Sequence, residues 1–275
     1  MNLLSHPVPR ALHAATPSAI SRLTIRHTLL SAAIASVALL GAAPAMADVI
    51  NFDNLQPDIF SSGSVLQTPS YNLLFLPDPT SAAYGWSSGV GAILDGTAAS
   101  SCDVIACPSG ASGNYLAILN DGGLNFSRPD RVGFQLAGFD YAFMAPVAGL
   151  PDFQWGRLRV SGTLLDGNVV TTSLDFPGQD ANGNYHFQGA SLGGFSNQVF
   201  QGLTFSACIF NGSDVCVNAL DTPAFNQAQF ALDNINISAV PEPATYLLLL
   251  AGLGGIALFS RRRIAAQPAV QGAAA

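Results

Sequence analysis

Lysine is absent from this sequence of 275 residues, and glutamate occurs once, at Glu242. Histidine is almost as scarce. Of four histidines, only His186 lies beyond residue 27. These gaps remove most of the side chains from which catalytic sets are built. A Ser-His-Asp triad would have to use His186. Its neighbours, Asn184-Tyr185-His186-Phe187, read as strand, and the G-x-S-x-G elbow does not occur. A glycosidase could still use two aspartates, but sixteen aspartates give many pairs and nothing in the sequence singles one out. Zinc is not expected where one histidine must serve the whole exported part.

Positive charge is also scarce where it would matter. Arg10, Arg22 and Arg26 stand near the start and Arg261, Arg262 and Arg263 near the end. Between Asp48 and Ala239 only Arg128, Arg131, Arg157 and Arg159 face sixteen aspartates, a formal charge of −12. Such a surface repels phosphate backbones, which excludes nucleic acid as a natural partner. Its oxygens suit hard cations such as Ca²⁺, or simply a well-hydrated surface. The mean hydropathy of +0.35 comes largely from the two chain ends. Without the apolar segments near 28–47 and 244–260, about 190 residues remain, enough for one domain with a sizeable core.

That middle part is built from Asp, Asn, Gln, Ser, Thr and Gly, which are poor in helices and good in strands and turns. Apolar residues recur with period two, and no convincing amphipathic helix is found. Strands are predicted over 49–52, 71–76, 115–119, 132–143, 155–165, 168–176, 185–187, 199–206 and 230–237. Asp166-Gly167 reads as a tight hairpin turn between two of them. Many short strands broken by Gly, Pro, Asn and Ser predict an all-β fold, a single antiparallel β-sandwich. No repeat of fixed period is visible.

The ends carry addresses. Arg22 and Arg26 precede the apolar run Leu29–Leu40, and Ala45-Met46-Ala47 then sets small residues at the −3 and −1 positions. This is the order of a secretory signal helix, cut by signal peptidase between Ala47 and Asp48. At the other end come Pro241-Glu242-Pro243, the apolar stretch 244–260 and Arg261-Arg262-Arg263. Seventeen residues are at the lower limit for a transmembrane helix crossing a bilayer core of about 30 Å. The arginines place its C-terminal end in the cytoplasm. The two prolines hold the preceding residues extended and open to a processing enzyme. The expected organisation is a signal peptide (1–47), a β-domain (48–239), a sorting signal with its helix (240–264) and a cytoplasmic tail (265–275).

Pro-Glu-Pro, a short Leu/Gly-rich helix and a basic cluster together resemble the PEP-CTERM family. The resemblance covers about 25 residues, Pro241, Glu242, Pro243, Arg261, Arg262 and Arg263 among them. It implies that an exosortase recognises the motif and removes the helix. The protein would then pass from a membrane-anchored precursor to the cell surface or extracellular matrix of a Gram-negative bacterium. The tail of eleven residues after Ile264 is longer than the family's usual few.

Ile50-Asn51-Phe52-Asp53, Leu158-Arg159-Val160-Ser161-Gly162 and Phe230-Ala231-Leu232-Asp233-Asn234-Ile235 further resemble jelly-roll domains that accompany such tags. That likeness implies neighbouring first and last strands, and it makes Asp53 and Asp233 candidate ligands of a structural Ca²⁺, the one cofactor considered. The plainer reading is that both aspartates form strand-end turns. Asp180-x-Asn182-x-Asn184 has the first spacings of an EF-hand, but Tyr185 replaces the required glycine and Ser191 the bidentate glutamate.

Four cysteines, Cys102, Cys107, Cys208 and Cys216, all fall in the exported part, where disulfides form. Three pairings are open, and the local ones, Cys102–Cys107 and Cys208–Cys216, are favoured. Aromatic residues offer a sugar-stacking platform, with Trp86 and Trp155 as candidates. Three functions follow. The first is a non-enzymatic structural or adhesive surface protein, the second a module binding exopolysaccharide, and the third a secreted glycan-active enzyme.

Overall fold

The computed structural model describes residues 47–83, 85, 88–98, 102, 105–211, 213, 215–217, 228–240, 251–252 and 254–255. The chain divides into two units. One runs Ala45–Glu242 and holds the β-structure. The other joins Met1–Pro44 and Pro243–Ala275, of which four residues are described. The expected signal helix lies outside the described residues, and so does the expected membrane helix apart from Ala251, Gly252, Gly254 and Gly255. Among the described residues no helix is long and apolar enough to cross a membrane.

Fourteen strands are described in the β-unit. They are β1 (Ala47–Ile50), β2 (Asp58–Phe60), β3 (Val65–Gln67), β4 (Asn72–Leu76), β5 (Gly91–Asp95), β6 (Asn114–Ile118) and β7 (Gly123–Ser127). After these come β8 (Phe134–Phe143), β9 (Gly156–Leu164), β10 (Val169–Asp175), β11 (Gln188–Gly189), β12 (Phe200–Phe210), β13 (Cys216–Val217) and β14 (Phe230–Ala239). One run of neighbours is β2-β5-β6-β14-β8, with β1 beside the far end of β14 and β11 on β8. The other is β10-β9-β12-β7-β4-β3, with β13 on β12. The two runs meet where Phe134 of β8 pairs with Phe200 of β12.

The all-β, antiparallel expectation holds and the fold is sandwich-like, with its two runs joined at that one pair. Instead of two separate sheets there is one antiparallel sheet, curled into a half-barrel. Length is the physical reason. The ten residues of β8 and eleven of β12 reach far enough to touch at one end while serving different runs. A register shift between Phe200 and Gly202 gives β12 the local bend this requires.

Inside the curl lies an aromatic core. Tyr71, Phe126, Phe134 and Phe200 form a chain of ring contacts with centroids 4.7 to 6.4 Å apart. Phe139 of β8 meets Phe205 of β12 edge to face at 5.3 Å. Offset and edge-on contacts of this kind add to plain burial. A second, smaller cluster, Ala92, Tyr115, Ala117, Ala142, Met144 and Ala231, is packed against by Ile105, Cys107, Ala111 and Phe187. Strands β5, β6, β8 and β14 thus contribute to both clusters. Alanines suit the second, because the covering segment must approach the backbone closely.

Several expectations hold. The Asp166-Gly167 turn joins β9 to β10, Gly167 has φ +85°, and Asn168 N–H donates to Asp166 Oδ1 at 3.0 Å. Strands β2, β3, β5, β7, β11 and β13 were not expected. Gly91 opens β5 because the Phe75 ring occupies the place of a side chain. A Cβ there would lie 2.1 Å from Phe75 Cε1. The expected strand at 185–187 is reduced to isolated bridges at Tyr185 and His186.

Candidate functional site

Both favoured cysteine pairs are found. Cys102–Cys107 and Cys208–Cys216 each have Cα atoms 5.4 Å apart. Loops this short contribute about 2–3 kcal/mol each on the chain-entropy account. The second pair ties β12 to β13 at the point where Phe210 faces Cys216.

The first and last strands are neighbours, with Ala47 opposite Ser238 and Ile50 opposite Ile235. The expected signal-cleavage pair, Ala47 and Asp48, thus begins a strand laid against the last one. Asp53 Oδ1 accepts the Asn114 N–H at 3.1 Å. Asp233 is buried and takes the Asn234 N–H at 2.8 Å. Burial, with the charges of Asp53 and Asp140 beside it, pushes its carboxyl up to about 6. The charge of Asp53 thus reaches Asp233, yet each of the two candidate Ca²⁺ ligands already holds a backbone N–H, as turn formers do. Among the described residues no group of three His, Cys, Asp or Glu side chains is arranged to hold a metal.

The Asp180 loop is closed on itself. Asp180 Oδ1 accepts from Asn182 and Asn184 N–H at 2.8 and 3.0 Å, and Oδ2 from the Ser109 hydroxyl at 2.9 Å. The Asn184 amide, then the Ser109 hydroxyl and further bonds hold this carboxyl below its usual range. Ser109, Asp180 and His186 come together here, with Ser109 and His186 bridged through the backbone. The Ser109 hydroxyl donates its hydrogen bond to the Asp180 carboxylate, where a Ser-His-Asp triad has the serine donate to the imidazole. His186 Nδ1 is buried without a hydrogen-bond partner.

A cleft built by paired strand ends lies at the close of β10 and β12. Phe153, Gln154, Arg157, Asp175 and Phe210 line its volume of about 350 Å³. Strand register sets the polar pair, because Arg157 of β9 stands opposite Asp175 of β10. Arg157 Nη2 lies 3.0 Å from Asp175 Oδ1, and its guanidinium sits 4.9 Å from the centre of the Phe210 ring. The Phe210 N–H donates to the Trp155 carbonyl at 2.8 Å, fixing the approach to β9. Gly156 follows Trp155 because a Cβ would collide with the Cys208 carbonyl, 1.9 Å away.

Trp155, one of the two rings expected as a sugar platform, is half buried. Its Nε1–H donates to the Pro151 carbonyl at 3.3 Å. The ring that faces solvent beside it is Phe153, 53% exposed and edge-on to Trp155 at 5.3 Å. Phe153, Arg157, Asp175 and Phe210 were not singled out by sequence. The run Phe153-x-Trp155-x-Arg157 was the available signal, an aromatic pair leading into a strand that begins with a cation. Trp86, the other expected platform residue, lies outside the described residues. So do Pro241, Glu242, Pro243, Arg261, Arg262 and Arg263.

Comparison with known proteins adds the following. No curated protein matches the chain. Among solved structures it is similar to an arabinose-bound α-L-arabinofuranosidase, at 12% identity and a TM-score of 0.32. That match covers 72% of this chain and 27% of the other. A score so low does not establish a shared fold. The C-terminal residues give a firmer result, because 239–263 match the family model of the PEP-CTERM protein-sorting motif. Those residues give the chain a PEP-CTERM protein-sorting motif, which begins at the last residue of the last described strand, Ala239 of β14.

Proposed function

We propose that the β-unit is a non-enzymatic structural or adhesive component of the cell surface or extracellular matrix. The motif marks the chain as an exported protein, sorted by an exosortase to the surface. The observation that carries the reading is the placement of the motif. It begins at residue 239, the last residue of β14. Strand β14 is paired with β8 on one edge and with β6 and β1 on the other. Cutting at Pro241-Glu242-Pro243 would therefore leave the sheet whole. The precursor in this reading is held in the inner membrane of a Gram-negative cell by the segment 244–260, until the exosortase acts.

The direct test is Glu242→Ala, followed by cell fractionation. The expected result is an uncut protein held in the membrane fraction. Normal release of the variant to the surface would defeat the sorting account.

A second reading, a carbohydrate-binding module for exopolysaccharide, is favoured by the cleft of Phe153, Arg157, Asp175 and Phe210. Aromatic faces beside paired polar groups are the common means of holding a sugar ring.

A further inference from the structure

The cleft can be read further, and its chemistry narrows the ligand. Its floor is made by the ends of three paired strands, β9, β10 and β12. Its rim is the Phe153–Gln154 segment. An exposed phenyl ring contributes little to folding, and here it stands beside a second ring, Phe210, already capped on one side by a guanidinium. The polar partners are a matched pair. Arg157 brings donors, Asp175 brings acceptors, and their ion pair leaves no net local charge. Arg157 Nη2 faces Asp175, while its Nε is buried and without a hydrogen-bond partner.

Each feature excludes some ligands. An apolar ligand would leave the Arg157–Asp175 pair desolvated and uncompensated. An anionic polymer would approach against the formal charge of −12 between Asp48 and Ala239 and would meet the Asp175 carboxylate. What remains is a neutral ring with an apolar CH face and hydroxyls at its edge. Aromatic rings take the face. The hydroxyls both donate and accept, so one sugar edge can satisfy the carboxylate and the guanidinium together. The volume falls within the range of small-ligand sites.

We propose that this cleft binds a neutral hexopyranose unit of a polysaccharide, with Phe153 and Phe210 against the CH face and Arg157 with Asp175 on the hydroxyls. The assignment rests on the carbohydrate-binding reading of the domain. Affinity electrophoresis of the full-length protein through gels holding a neutral glucan, mannan or galactan, and separately a polyuronate, tests it. At least one neutral polymer should retard the protein. Phe153→Ala and Asp175→Asn should each weaken that retardation roughly tenfold. Both side chains are largely solvent-exposed, and a surface ion pair adds little to stability, so the thermal midpoint should move little. Retardation that both variants leave intact would place sugar binding elsewhere and overturn the cleft while keeping the reading. Retardation by the polyuronate alone would overturn the choice of a neutral ligand. No retardation by any polymer would overturn cleft and reading together.

Discussion

The two runs of the curled sheet are built differently. In β5, β6, β8 and β14 residues of both faces are buried, and the burial patterns lose their alternation. Four of the five residues of β6 are buried, and so are the first four of β14. In β9 and β10 the alternation survives. Strand β9 buries every second residue over its first seven, and β10 buries none fully. The first run is a wall enclosed on two sides, with small alanines under a covering segment tied by Cys102–Cys107. The second has one dry face, while its outer face and strand ends are free to carry a site. The cleft opens on the second run. A strand enclosed on both sides has no surface left to bind with.

This contrast can be broken most severely at the shared core. Phe205→Ala removes a fully buried ring that faces Phe139 across the curl. It should cost about 3–5 kcal/mol of unfolding free energy, read as a lower denaturant midpoint. A loss under about 1 kcal/mol would mean that the two runs do not share a core.

A paired substitution sharpens the difference between the runs. Ala231→Leu, in the doubly enclosed wall, should overpack the second cluster and cost about 1–3 kcal/mol. Val169→Thr, exposed on β10, should change stability by no more than about 0.5 kcal/mol. Equal effects at the two sites would erase the distinction drawn here.

The smallest expected effect depends on pH. The folded Asp233 carboxyl holds its proton more tightly than the unfolded one, with about 6 set against an ordinary 3.8. The contribution of its protonated form is therefore full below about 3.8 and is lost as the pH rises through about 6. Asp233→Asn should raise the thermal midpoint at pH 8 and bring no gain at pH 3.5. Added calcium offers a further contrast. A midpoint that rises for the native protein but not for Asp233→Asn would assign the carboxylates to a cation. A midpoint indifferent to calcium in both would leave them as turn formers. A gain that is the same at both pH values would remove burial of the charge as the cause.

Much of the fold was legible because its signals are local. The Asp166-Gly167 hairpin needs only a left-handed glycine and an aspartate that bonds its own loop. Each cysteine pair is closed by a handful of residues. The neighbouring first and last strands were implied by the jelly-roll resemblance. Strand β5 was hidden because its leading glycine serves close packing, Gly91 against Phe75, and not a turn. Trp155 drew attention as the larger ring, but burial depends on contacts, and these turned it inward while Phe153 stayed in solvent.

The sequence by itself determined where this protein goes and what class of backbone it has. Export, sorting and strand content are written in short runs of charge, apolar length and turn chemistry, each complete within a few tens of residues. Only the tertiary structure decided that the strands form one curled sheet, that Asp233 is buried beside Asp53, and that Phe153, Arg157, Asp175 and Phe210 share a cleft. Those outcomes depend on register between strands far apart in the chain, and no local pattern encodes which distant residue a side chain will face.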